Sequence, residues 1–335
     1  MSSVMKPVLC GGEILLDFLS KDVGKGLADS MLFEKRPGGS IFNVAVGLRR
    51  LGVPASLLTK LGGDEFSQGL MSVITEEKIN TECLRRDPDL KTTLAFVALN
   101  EEGKPEFRFY RDHAADTKLT VSEIEHINPQ DYSMYHFGSI ALLEKPASDA
   151  YLELLDMFHG EKVTTSFDPN IRPSLIHDRK SFLQMFYRVS EVVDILKMSD
   201  DDLEYITGLA DAREGLRKMP DRANALILVT LGKNGAIASC GGQSRHVPTF
   251  NRVRVKDTTG CGDAFMAAIL SGLLNSGDFT ALSMSKLTGI VTFANAAATI
   301  VGTRYGAANA MPRLREVDRF LSRHKNEDVQ DGVSG

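Results

Sequence analysis

The chain has 335 residues, enough for one large domain or two ordinary ones. With 43% apolar and 25% charged residues, it is composed like a globular protein, which excludes collagen-like, low-complexity and mostly disordered classes. Its 39 basic and 44 acidic residues leave a net charge of −5, which argues against nucleic acid as the main partner.

In chain order, Val8–Gly12 reads as a short buried strand, and Ile14–Phe18 follows with an acid at Asp17. Gly38-Gly39-Ser40 breaks the chain before a helix over Ile41–Leu51, which Gly52-Val53-Pro54 ends. Ala55–Leu61 is a strand, Gly62-Gly63-Asp64 a turn, and a helix then runs to about Glu77. This alternation points to α/β architecture with a mostly parallel sheet. Thr93–Leu99 and Phe107–Arg111 are rich in β-formers, and Asn100-Glu101-Glu102-Gly103 between them reads as a hairpin loop. Such a hairpin belongs to a second, smaller sheet, which the stretch around Ile14–Phe33 would join. Val163–Phe167, Ile195–Met198 and Ala225–Thr230 are further strands, each followed by a loop and helix. Phe265–Leu274 and Met284–Ala297 read as long apolar helices. Leu287–Thr303 carries no charge and just reaches the length of a membrane span, but Gly289, Asn295 and four threonines favour a buried helix. From about Lys325 the chain is polar and is expected to fray. Cys10, Cys83, Cys240 and Cys261 are scattered without a CxxC pair, which suits reduced thiols in a cytoplasm. No signal peptide is visible in the sequence.

The most informative stretch is Asp257-Thr258-Thr259-Gly260-Cys261-Gly262-Asp263-Ala264-Phe265. Two glycines and a small residue lead directly into a helix. Consecutive amides there can point one way, and the helix dipole adds partial positive charge, so an anion hole suited to phosphate results. An acid at the same point, Asp263, could take a proton from a hydroxyl while the amides hold a transferring phosphoryl group. For an isolated GxGD the plainer reading is an N-cap acid and a simple turn.

The surrounding residues change that balance. This stretch resembles the second signature of the ribokinase-like pfkB carbohydrate kinases, D-T-x-G-A-G-D-x-F, departing from it only at Cys261. Gly38-Gly39-Ser40-Ile41-Phe42-Asn43-Val44-Ala45, closing with Arg49-Arg50-Leu51-Gly52, resembles the first signature. The resemblance implies a three-layer α/β sandwich with a small β-sheet lid. It places one kinase domain over residues 1–325, lid segments near 13–37 and 92–113, and a flexible tail over 326–335.

The resemblance also assigns roles. Asp263 would be the catalytic base, with the amides of Gly260, Cys261 and Gly262 as the anion hole. Asp17, Gly38, Gly39 and Asn43 match sugar-binding positions. Thr230, Gly232 and Gly235, in Thr230-Leu231-Gly232-Lys233-Asn234-Gly235, resemble the nucleotide loop; Lys197 and Asn295 fall at further nucleotide positions. Ser199 and Asp202 stand where the family has N-x-x-E, so Asp202 would serve Mg²⁺ through water. Asp257 and the backbone of Thr259, with carbonyls near Gly302–Ala307, match a monovalent cation site for K⁺. ATP is the implied phosphoryl donor, and homodimerisation through the lid is implied as well.

The local wording resembles the bacterial fructokinase branch at Gly12–Phe18, Thr93–Leu99, Phe107–Arg111 and Asp168-Pro169-Asn170-Ile171-Arg172-Pro173. Arg108 or Arg111 could then reach a sugar hydroxyl, Asp168 line the sugar site and Arg172 neutralise phosphate. The implied reaction is ATP-dependent phosphorylation of D-fructose to fructose 6-phosphate. Two alternatives stay open: a 2-keto-3-deoxygluconate kinase, in which an arginine would hold the substrate carboxylate, and a non-catalytic sugar or nucleotide sensor. A P-loop NTPase and a dinucleotide-binding dehydrogenase are disfavoured because neither GxxxxGK[ST] nor a GxGxxG after the first strand occurs. The seven histidines show no zinc-ligand spacing.

Overall fold

The structure is a computed structural model that describes residues 5–22, 24–99, 105–220, 225–277 and 282–331. The chain runs through β1 (Val8–Gly11), β2 (Leu15–Ser20), a one-turn α1 (Gly26–Asp29), β3 (Phe33–Gly38) and α2 (Ser40–Arg50). β4 (Ala55–Leu58), β5 (Lys60–Leu61), α3 (Glu65–Glu76), β6 (Arg85–Arg86), β7 (Leu94–Leu99) and β8 (Pro105–Tyr110) follow. Then come β9 (Met134–Gly138), α4 (Ala147–Gly160), β10 (Thr165–Asp168), α5 (Arg179–Ser190), β11 (Ile195–Ser199), α6 (Asp200–Thr207) and α7 (Ala212–Leu216). The remainder is β12 (Leu226–Thr230), β13 (Ala236–Cys240), β14 (Gln243–Val247), α8 (Cys261–Ser276), α9 (Met284–Gly302) and α10 (Leu314–Asp331).

Eight strands form the main sheet in the order β14-β13-β12-β11-β10-β9-β1-β4. The pairs from β12 to β4 are parallel, and the β12–β13 and β13–β14 pairs are antiparallel. Side chains alternate across the sheet. Val8 and Cys10 of β1 belong to the buried cluster that holds Val44 of α2, Phe265 of α8 and Val291 of α9, whereas Leu9 belongs to the one that holds Tyr151 of α4 and Phe186 of α5. Two buried clusters on opposite faces make this a helix–sheet–helix sandwich of the ribokinase-like kind. α9 has the length and hydropathy of a membrane span, yet its Val291, Ala294, Ala297 and Val301 are buried in the core cluster.

β3-β2-β7-β8 form the small lid sheet, with β2 and β7 parallel and the outer pairs antiparallel. Its register sorts the side chains. Asp17, Ala95 and Phe109 share one face; Phe18, Phe96 and Arg108 share the other. On that second face Phe18 and Phe96 stack with centroids 4.9 Å apart, and Phe33 and Tyr110 meet Phe96 edge-on.

Most expected elements are present, and three stretches need separate mention. Residues 100–103, read as a hairpin loop, lie outside the described residues. Past Lys325, α10 is described as far as Asp331, and Lys325-Asn326-Glu327-Asp328-Val329-Gln330 contains no Gly or Pro to end it. β9, in the middle of the sheet, has no sequence counterpart in the reading above. Its His136 is fully buried, and burial with the Lys197 charge nearby lowers its pKa to about 3, so the strand carries a neutral imidazole in an otherwise apolar run.

Candidate active site

The site forms where α2 and α8 begin, under the lid. Gly39 caps α2 at φ +103; a Cβ there would fall 2.6 Å from the Glu13 carbonyl, so the turn from lid strand to helix admits only glycine. Gly260 caps α8 at φ +81, and a Cβ would fall 2.7 Å from Ala307. The first amides of α8, at Cys261 and Gly262, thus sit at a helix N-terminus within a tight turn, the arrangement that holds anions.

Asp263, in the first turn of α8, is buried. The Ser40 hydroxyl donates to its Oδ1 at 2.6 Å, and Asn43 Nδ2 donates to its Oδ2 at 2.8 Å. Burial pushes its carboxyl up, while these two bonds and the charges of Lys197 and Arg172 pull it back; the net direction is upward. A carboxylate so placed is a competent proton acceptor beside an anion hole. Asp17 faces the same space from the lid. Desolvation raises it to about 7, Arg172 opposes this, and the Asp263 and Asp257 charges add to it. A Cβ on Gly38 would lie 2.1 Å from Asp17 Oδ2, so Gly38 leaves room for that carboxylate.

Cationic groups converge on these acids. Lys197 of β11 pairs with Asp168 Oδ2 at 2.7 Å in the sheet interior, and a Cβ on Gly262 would lie 3.0 Å from its ammonium. Arg172 donates to Asn170 Oδ1 at 2.6 Å and lies 5.9 Å from the Phe107 ring of the lid. The site can therefore hold an anion at the α8 amides, bind hydroxyls with Asp17 and Asn43, and accept a proton at Asp263.

A family model described as pfkB family carbohydrate kinase matches residues 5–314. The chain belongs to that family. It is 36% identical over 321 residues to probable fructokinase-6, chloroplastic, of Arabidopsis thaliana, spanning 94% of this chain and 82% of that protein. It is 33% identical to fructokinase-1 of Zea mays, spanning 96% and 100%. The crystal structure of fructokinase with bound ATP from Xylella fastidiosa matches with a TM-score of 0.85 at 28% identity, covering 96% of this chain and 100% of that one. A fructokinase double mutant from Vibrio cholerae O395, bound to fructose, ADP and potassium ion, matches with a TM-score of 0.84 at 27% identity over 96% and 100%.

For this pfkB kinase the structure brings together Asp263, the Gly260–Gly262 turn, Asp17, Gly38, Gly39, Asn43, Arg172 and Lys197. Five other sequence-assigned residues have placements or partners of their own. Arg108 shares a lid face with Phe96 and Phe18, opposite to Asp17, so it points away from the sugar side. Arg111 is buried and committed to Asp116 Oδ2 at 2.8 Å, and to Glu144 and the Ile140 carbonyl at 3.3 Å. Asn295 donates to the Val247 and Pro248 carbonyls at 3.2 and 3.0 Å, tying α9 to the end of β14. Asp202 is an N-terminal cap acid: its oxygens accept from Ile171 and Ser199 amides at 2.8 and 2.9 Å. Asp168, expected at the sugar, lies wholly inside the sheet, and its bond to Lys197 suits it to holding that lysine.

Thr230, Gly232 and Gly235 close the end of β12, with Gly232 in a single 3₁₀ turn. A Cβ on Gly235 would meet the Val247 carbonyl at 2.1 Å, so that glycine serves strand packing. Asp257 ties two loops, accepting from Thr259 N and Gly306 N at 2.9 Å each, and the Gly302 carbonyl accepts from Lys256 N at 2.7 Å. Among the described residues no cluster of three or more His, Cys, Asp or Glu could hold a metal.

Sequence reasoning missed Glu13, Arg36, Ser40 and Asn170. Glu13 Oε1 accepts the Ser40 amide at 2.8 Å. Arg36 packs its guanidinium against Gly306 and pairs with Glu34 at 2.6 Å. Ser40 and Asn170 had a signal, each lying inside a matched motif, but what they touch depends on tertiary packing.

Proposed function

We propose that this chain transfers the γ-phosphoryl group of ATP to a hydroxyl of D-fructose, giving ADP and fructose 6-phosphate. The observation that carries the reading is the Asp263 carboxylate, buried and held by Ser40 and Asn43 at the start of a glycine-capped helix. Asp17 and Asn43 orient the sugar. Its hydroxyl oxygen attacks the γ-phosphorus, the bond from that phosphorus to the β–γ bridging oxygen breaks, and the hydroxyl proton passes to Asp263. The amides of Gly260, Cys261 and Gly262 stabilise charge on the transferring group, and Lys197 and Arg172 add positive charge nearby. The lid excludes water, which would otherwise compete as acceptor. Fructose as the acceptor is supported by relatives named fructokinase that span nearly the whole chain.

Mg²⁺ is taken as arriving with ATP, held by its phosphates. K⁺ dependence is proposed on Asp257 and Thr259 and on the potassium named with the Vibrio cholerae fructokinase. The free thiols of all four cysteines suit a reducing, cytoplasmic setting. The aromatic outer face of the lid, with Tyr110 60% exposed, supports lid-to-lid homodimerisation, which sedimentation would test.

The test is coupled-assay kcat/KM with Mg·ATP against fructose, 2-keto-3-deoxygluconate, ribose, tagatose and adenosine. Fructose is expected to exceed the others. A preference for the keto-acid would overturn the substrate, and no turnover with any of them would overturn the kinase reading.

A further inference from the structure

Asp263 terminates a run of hydrogen bonds that crosses three segments of the fold. Arg172 Nη1 donates to Asn170 Oδ1 at 2.6 Å, Asn170 Nδ2 donates to Ser40 Oγ at 2.7 Å and, at the longer distance of 3.5 Å, to Asp263 Oδ1, and Ser40 Oγ donates to Asp263 Oδ1 at 2.6 Å. The direction of every bond is fixed by chemistry. A guanidinium only donates, so Asn170 must turn its oxygen to Arg172 and its NH₂ to Ser40. Ser40, accepting there, has one proton, and an ionised carboxylate can only accept it.

The run is built in. Asn170 sits at φ +39, a left-handed conformation that asparagine tolerates better than most residues. Glu13 fixes the Ser40 amide at 2.8 Å, and Asn43 holds the second Asp263 oxygen at 2.8 Å. Ser40 is 8% exposed, so bulk water does not compete freely for its hydroxyl.

We infer that Arg172, Asn170 and Ser40 form a one-way hydrogen-bond chain that keeps Asp263 deprotonated and aimed before the sugar enters. Ser40 and Asn170 are positioning residues in this scheme; they act through Asp263. The inference rests on Asp263 being the base of the proposed reaction. When a sugar hydroxyl arrives, it meets a carboxylate already ionised and oriented, with one lone pair on each oxygen taken by Ser40 and Asn43 and another left to accept its proton.

Other charges face Asp263 and act with or against the chain. Lys197 from β11 and Arg172 itself favour the ionised form. Asp17 from β2, Asp168 from β10 and the Cys261 thiol interact repulsively with it. Removing the Ser40 hydroxyl leaves all of these charges and the 3.5 Å Asn170 contact in place, so its effect on titration isolates the Ser40 link of the chain.

The experiment follows the Asp263 carboxyl by carbon-13 NMR in ligand-free protein labelled at aspartate carboxyls, with the resonance assigned by its loss in Asp263→Asn. A hydrogen bond to a charged group is worth about 1.5–3 kcal/mol, so Ser40→Ala should raise the titration midpoint by about one pH unit or more. Ser40→Thr, which keeps the hydroxyl, should return it. Asn170→Gly, which suits the left-handed backbone, should give part of the same rise. In turnover with Mg·ATP and fructose, the acid limb of kcat/KM should move by the same amount in each variant. A Ser40→Ala midpoint equal to wild type overturns the chain, whatever the turnover. Should Ser40→Ala fail to fold, an unchanged midpoint in Asn170→Gly overturns it instead. Shifted midpoints in a protein that phosphorylates no sugar would sink the kinase reading and leave the chain standing.

Discussion

Glu13 is 1% exposed and its carboxyl is pushed up to about 7, chiefly by desolvation. A raised carboxyl makes the folded state the tighter proton binder. The stability this confers is complete below the model-peptide value of 4.5 and is lost as pH climbs through about 7. Glu13→Gln keeps an acceptor for the Ser40 amide and never ionises. It should therefore match wild type near pH 4.5 and melt a few degrees higher above pH 8, with a ceiling of about 3 kcal/mol at about 1.4 kcal/mol per pH unit. Thermal melts across that range check it; equal melting at high pH would contradict a protonated Glu13. Cys261 is a second residue-scale case. A thiol at a helix start next to an anion hole is expected to be acidic. Burial outweighs the dipole here, and with the Asp257 and Asp263 charges it raises Cys261 to about 12. Brief treatment with iodoacetamide near neutral pH should then leave wild type and Cys261→Ala equally active, and mass spectrometry should find Cys261 unmodified.

At the scale of elements, the site depends on how α2 meets α8. A Cβ on Gly47 would fall 2.6 Å from that of Ala267, so the two helices touch backbone to side chain there. Gly47→Ala should force them apart, cost about 1–3 kcal/mol and lower kcat by moving Ser40 and Asn43 off Asp263. Adding Ala267→Gly should restore both, and a double-mutant cycle on melting and turnover would measure the coupling. Lid register makes a second prediction. Asp17→Asn should raise KM for fructose by roughly tenfold or more, the scale of one charged hydrogen bond. Arg108→Ala, on the opposite face, should leave KM within about twofold. The contrast also marks what sequence could supply. Asp263, Asn43 and the Gly260–Gly262 turn were legible because adjacent residues carry their geometry. Arg108 was not, because the face a strand residue takes is set by pairing with β7, and one residue of register reverses it. Ser40 and Asn170 stand 130 positions apart, so their bond could be seen only in the folded chain.

Across the whole molecule, the parallel strands β10 and β11 supply Asp168 and Lys197, and the starts of α2, after lid strand β3, and α8, after the loop from β14, meet beside them at a margin of the sheet where open α/β sheets bind ligands. The lid lays Asp17 and Phe107 over that edge, and Arg172 meets Phe107 across the gap. The α/β class and the second sheet were readable from alternating strands and helices. β9 was not, since a buried neutral His136 interrupts its apolar pattern, and the antiparallel end of the sheet at β13 and β14 left little signal. The proposed reaction turns on a single proton acceptor, Asp263. The most direct measurement compares kcat for fructose and Mg·ATP in wild type and Asp263→Asn, with melting temperature as a control. Loss of a general base predicts a fall of about 10²-fold or more with melting little changed. Turnover within a few-fold of wild type in a folded Asp263→Asn protein would remove Asp263 from the chemistry.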